Sequence, residues 1–105
     1  IEIIDYKTGK VPEEKELKKS LQLSIYALAA TNEGLYNKPI DQVYLTFYYL
    51  QDMKKVTMQR TSEELINVAS TVKELASKIK TGNFEPKVGK WCDYCSYKMI
   101  CEAWK

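Results

Sequence analysis

Strand, helix, strand, strand, helix and a cysteine-bearing tail follow one another along the chain, and this order predicts an α/β fold with a mixed sheet flanked by helices. Three observations carry the prediction. Residues 1–6 form a β-branched run ended by Thr8-Gly9-Lys10 and Pro12. Two longer segments repeat apolar residues at helical spacing, and between them lie two short alternating runs joined by a polar turn.

In the first run Ile1 and Ile3 point one way, and Glu2, Ile4 and Tyr6 the other. From about residue 14 to 33, Leu17, Leu21, Ile25 and Leu28 recur at helical spacing and Gly34 supplies a C-terminal stop, so one amphipathic helix is expected. Residues 42–50 alternate Val43, Leu45, Phe47 and Tyr49 with Tyr44, Thr46, Tyr48 and Leu50, which describes a strand covered on both faces. A turn near Gln51-Asp52 leads to a more exposed strand over residues 54–60, completing a hairpin. The right-handed crossover rule then favours parallel pairing of the first strand with the second. Thr61-Ser62-Glu63-Glu64 has the form of a capping box, followed by Leu65, Ala69, Val72, Ala76 and Ile79 on one face of a helix over residues 62–80, closed by Gly82. Residues 83–105 change character and hold both tryptophans and all three cysteines.

At 105 residues the chain has the size of one domain. It divides by composition into an α/β portion over residues 1–82 and a cap over 83–105. No run approaches the roughly 18 apolar residues of a spanning helix, and the first residues resemble no export signal, so a cytoplasmic location with no membrane partner is expected. The opening on Ile1, in mid-run, suggests a longer parent. A net charge of +2 does not by itself call for a polyanionic partner. There is no histidine, which excludes Ser-His-Asp triads, Cys-His dyads and histidine-bearing zinc sites among these residues.

Chemistry must therefore rest on carboxylate, lysine and thiolate. Asp5 and Lys7 end the first strand with side chains on the same face. There a carboxylate helps hold a hard cation, and an ammonium orients water or offsets phosphate charge; the same tripeptide also describes a solvated strand end. Gln22 and Tyr26, four apart on the first helix, share a face and reach either a site or merely the core boundary. Cys92, Cys95 and Cys101 form C-x2-C-x5-C, a spacing that lets thiolates meet one metal or cluster, with the fourth ligand from elsewhere. Buried reduced cysteines remain the lesser alternative. Lys78, Lys80, Lys87, Lys90, Lys98 and Lys105 outnumber Glu85, Asp93 and Glu102 toward the C-terminus, as a phosphate-contacting flank or a solvated surface would.

Taken together, Ile3-Ile4-Asp5-Tyr6-Lys7-Thr8-Gly9-Lys10, Gln22-Leu23-Ser24-Ile25-Tyr26 and the tail from Trp91-Cys92-Asp93-Tyr94-Cys95 to Cys101 resemble the C-terminal part of a RecB-type exonuclease domain. That family belongs to the PD-(D/E)xK superfamily, and the likeness is to its iron–sulfur branch, found in AddB-like helicase–nuclease subunits and CRISPR-associated exonucleases. The resemblance spans essentially the whole chain. It implies a restriction-endonuclease-like sheet, incomplete on its N-terminal side, in a metal-dependent deoxyribonuclease of DNA repair or recombination, with DNA as substrate and a helicase domain or subunit as partner. It further implies that Asp5 and the Tyr6 carbonyl bind Mg²⁺ or Mn²⁺ and that Lys7 positions the attacking water. Gln22 and Tyr26 would orient the lysine and the DNA, while Cys92, Cys95 and Cys101 would hold three corners of a [4Fe–4S] cluster.

The family's upstream acidic ligands and first cluster cysteine have no counterpart before Asp5. The chain by itself is therefore expected to be inactive, its cluster labile or absent, and its first strand prone to self-association through an unpaired edge. Two other readings stay open at this stage: a non-catalytic DNA-binding or interaction scaffold with the same fold, and a small zinc module completed by a ligand from outside.

Overall fold

The computed structural model describes residues 1–82 and 84–104, so Lys105 of the basic tail lies outside the described residues. The chain forms two compact units, Ile1–Val72 and Lys73–Lys105, and each is described by itself.

The first unit is built on a three-stranded sheet in the order β1 (Glu2–Lys7), β2 (Tyr44–Tyr49), β3 (Lys54–Met58). β1 and β2 are parallel, with Asp5 opposite Phe47 and Lys7 opposite Tyr49, while β3 runs antiparallel to β2. This is the expected mixed sheet. Leu45, Phe47 and Tyr49 are buried on one face, where they join Val43, Leu17, Leu23, Ala27, Ala30 and Leu65 in a single core. The opposite face of β2 is less covered than its apolar alternation suggests, because Tyr44 there is 46% exposed. Thr46, fully buried on that face, donates to Glu2 Oε1 at 2.7 Å and shares a 2.8 Å hydrogen bond with Thr57 Oγ1, so polar pairs bind the three strands together.

The single helix expected over residues 14–33 is two helices, α1 (Glu14–Lys18) and α2 (Leu21–Thr31). The cause is Ser20. Its hydroxyl accepts from Leu23 N–H at 3.4 Å as the N-cap of α2, while the Lys19 and Ser20 N–H groups close α1 onto Glu16 and Leu17 carbonyls. The interruption resets the helical phase. Leu23, Ala27 and Ala30 face the core, whereas Leu21 and Ile25, which the spacing places inward, are 39% and 43% exposed. α3 (Ser62–Lys80) begins with the expected capping box: Thr61 N–H donates to Glu64 Oε2 at 2.7 Å and Glu64 N–H to Thr61 Oγ1 at 3.2 Å. Its apolar stripe is covered only at the start, where Leu65 is buried; Val72, Ala76 and Ile79 are exposed.

The second unit comprises the end of α3, stopped by Gly82 with φ 71°, and three short 3₁₀ turns at Lys90–Tyr94, Lys98–Ile100 and Glu102–Trp104. The positive φ suits a residue without Cβ. Lys90 and Lys98 ammonium groups sit 4.8 and 4.4 Å from the ring centres of Trp91 and Trp104. Among the described residues, no helix is long and apolar enough to cross a membrane.

Candidate active site

β1 alternates exposed and half-buried positions, and Ile3, Asp5 and Lys7 take the half-buried ones, facing α2. Lys7 lies at the strand end and is held from three sides. Its ammonium donates to Gln22 Oε1 at 2.8 Å, stands 3.0 Å from Asp5 Oδ2 and lies 4.9 Å from the centre of the Phe47 ring. The Gln22 amide then donates from Nε2 to Tyr26 Oη at 2.8 Å. An ammonium only donates, so the Gln22 oxygen must face it and the amide nitrogen must face the phenol. Tyr26 Oη accepts in this chain, which leaves its own proton free.

Thus Asp5, Lys7, Gln22 and Tyr26 meet in one constellation. They are brought together by the phase of β1 and by the four-residue spacing on α2. Asp5 Oδ2 is buried and is met by the Lys7 ammonium at 3.0 Å as an ion pair, with no further hydrogen-bond donor among the described residues. The carboxylate is a hard oxygen ligand of the kind a divalent cation takes, and to that extent the site fits Mg²⁺ or Mn²⁺. Among the described residues no second carboxylate, histidine or cysteine completes a set of three ligands around it.

Two neighbours of the constellation carry no motif signal. Phe47 and Tyr49 look like core residues in the sequence, and only the parallel register places them beside Asp5 and Lys7. Burial holds the Tyr49 phenol above its ordinary range; the Lys7 charge opposes that rise and the Asp5 charge adds to it. Beyond Lys7 the site opens into a cavity of about 430 Å³ lined by Gly9, Lys10, Pro12, Leu17, Phe47 and Tyr49, among others.

The cap departs from expectation. The three sulfurs should converge on one metal or cluster, yet among the described residues they form no ligand set. Cys92 Sγ accepts from the Gly89 N–H at 3.4 Å, Cys95 is exposed and Cys101 is half-buried. The Gly89 N–H, with help from the Trp104 indole and the Lys98 charge, lowers the Cys92 pKa, against the opposing charge of Asp93. The described arrangement does not fit a cluster. The basic tail is likewise partly neutralised, since Lys78 pairs with Glu74 at 3.0 Å and Lys98 with Asp93 at 3.5 Å.

A restriction-endonuclease-like sheet, with an aspartate and a lysine two residues apart at the end of a strand, defines a class of phosphodiester-cleaving α/β domains. The family model of the PD-(D/E)XK nuclease superfamily matches residues 1–102, and the chain belongs to that superfamily. No curated protein matches the chain.

Proposed function

We propose that this chain carries the Asp-Lys half of the active site of a Mg²⁺- or Mn²⁺-dependent deoxyribonuclease, acting as an exonuclease in DNA repair or recombination alongside a helicase. One observation carries the reading: the buried Asp5 carboxylate oxygen paired at 3.0 Å with a lysine that Gln22 fixes at the strand end. When bound, a divalent cation supplies Lewis-acid polarisation of the phosphoryl oxygen and a more acidic water. Asp5, with the Tyr6 carbonyl, is the proposed ligand. Lys7 keeps a third of its side chain exposed toward the cavity, where its charge offsets that developing on a phosphate and orients a water proton. Gln22 holds the ammonium in place, and Tyr26 has a free proton for a phosphate oxygen.

The RecB-type assignment rests on the motif resemblance, and the cytoplasmic setting on first residues that resemble no export signal. The cluster assignment rests on the resemblance of the C-x2-C-x5-C tail to the iron–sulfur branch of that family, and iron and sulfide assays on anaerobically purified protein test it. Cleavage of end-labelled DNA by the protein carrying this domain tests the main reading. Asp5→Ala and Lys7→Ala should each abolish cutting with little loss of DNA binding, because backbone contacts are spread over many lysines. Residues 1–105 alone should not cut, one carboxylate being too few to hold the ion. The scaffold reading draws on that same single carboxylate, and an inactive full protein that still binds DNA would favour it.

A further inference from the structure

Arg60 joins β3 to α3 and is only 6% exposed. Its Nε donates to Ser24 Oγ at 2.9 Å, and its terminal nitrogens reach the Ser20 and Gln59 carbonyls at 3.4 Å. Every acceptor is neutral. Among the described residues no carboxylate lies within ion-pair distance of this guanidinium, although a buried charge ordinarily has a counter-charge. Three of its five N–H groups are used, which leaves two.

The surroundings add positive potential. Ser20 caps the N-terminus of the 11-residue α2 and Thr61 that of the 19-residue α3, so two helix dipoles begin beside the arginine. Arg60 lines a cavity of about 190 Å³ together with Lys18, Lys19, Ser24, Glu64, Asn67 and Val68. Lys18 is paired with Glu14 at 2.8 Å, and Lys19 makes no ion pair with a described residue. The one acid in the lining, Glu64, is occupied by the Thr61 N–H of its capping box.

We propose that this cavity binds a phosphate group of a nucleic-acid backbone, gripped by Arg60 and Lys19. The charge and burial that carry the proposal do not depend on the nuclease reading. Ser20 links the two places, because it lines the cavity beside Lys7 and also accepts from Arg60. A strand lying at Lys7 could continue across the α1–α2 junction to this second site.

The test uses Asn67→Glu, which sets a carboxylate at the cavity from an exposed helix position, and Lys19→Gln, also exposed. Thermal unfolding of the chain is followed in inorganic phosphate and in chloride at matched ionic strength and pH. Phosphate should raise Tm in the wild type by mass action. Asn67→Glu should raise Tm without phosphate and remove the phosphate-dependent increment, and Lys19→Gln should reduce that increment. General salting-in or salting-out would act equally on all three proteins, so equal increments overturn the proposal, as does no increment in the wild type. In a second arm, binding of a fluorescent single-stranded DNA is titrated with salt. Asn67→Glu should lower the slope of log K against log salt by about one contact. An increment lost on substitution with an unchanged slope would mark a site for free phosphate and overturn the backbone assignment.

Discussion

Lys7 and Tyr49 are direct partners across the parallel pairing of β1 and β2, a charged side chain and a phenol at the same level of the sheet. Burial outweighs the lysine's pull, so the phenol is a weaker acid than usual and remains a hydrogen-bond donor at the cavity wall throughout the physiological range.

The sign of the pH effect follows. With a folded-state pKa above its ordinary value near 10, Tyr49 contributes stability that is fully present below that value and is lost as pH climbs through the folded pKa. Tyr49→Phe should therefore flatten the alkaline fall in Tm above about pH 10 relative to wild type, with the two curves parallel at neutral pH. Unfolding scans across alkaline buffers give the comparison; parallel curves throughout would count against a buried phenol at this position.

Gln22 touches no reacting atom and is a positioning residue. Gln22→Ala should free the Lys7 ammonium and lower kcat of the DNA-cutting protein by roughly 100-fold, leaving KM nearly unchanged. Gln22→Glu, which keeps an acceptor facing the lysine, should recover part of that loss. A change in KM alone would assign Gln22 to DNA binding instead.

The phase of α2 makes a stability prediction. Leu23 is fully buried, and Leu23→Ala should cost about 2–5 kcal/mol, whereas Leu21→Ala at a partly exposed position should cost far less. Urea unfolding of the two variants decides between this phase and the one the apolar spacing suggests.

Thiol chemistry distinguishes the three cysteines. Because the Gly89 N–H favours the Cys92 thiolate, iodoacetamide near neutral pH should label Cys92 faster than its exposure alone would give. Mass spectrometry of partly labelled protein reads the order. Removing the Asp93 charge through Asp93→Asn should speed the labelling further, since that carboxylate opposes the thiolate.

Among the described residues β1 has a hydrogen-bonded neighbour only on its β2 side, and Ile4 and Tyr6 on it are exposed. Unpaired strand edges recruit other chains, so concentrated protein should self-associate in light scattering, and Ile4→Lys should suppress it.

Elements with strong local signals were legible in the sequence: the capping box at Thr61–Glu64, the alternation of β1, the hairpin and the parallel crossover all stand where local chemistry places them. Spacing made each pair legible, Asp5 with Lys7 and Gln22 with Tyr26, because each lies on one element with both side chains on a common side; that the two pairs serve one site came from the family resemblance. What escaped depended on contacts distant in sequence. Ser20 reads as an ordinary helix-interior serine until the Arg60 guanidinium reaches its carbonyl. Phe47 and Tyr49 become site residues only through the register with β1. The cysteine spacing of the cap constrains the chain without determining where each sulfur points.

The interruption at Lys19–Ser20 has a rotational consequence. Burying Leu23 in place of Leu21 turns α2 by two residues, roughly 200° about its axis, which exchanges its flanks. One flank now carries Gln22 and Tyr26 to the lysine at the end of β1, and the other carries Ser24 to the arginine after β3. A single angular setting thus supplies acceptors to two cations on opposite sides of the same helix, like one key cut on both edges. A helix running unbroken through residue 20 would have turned both edges away.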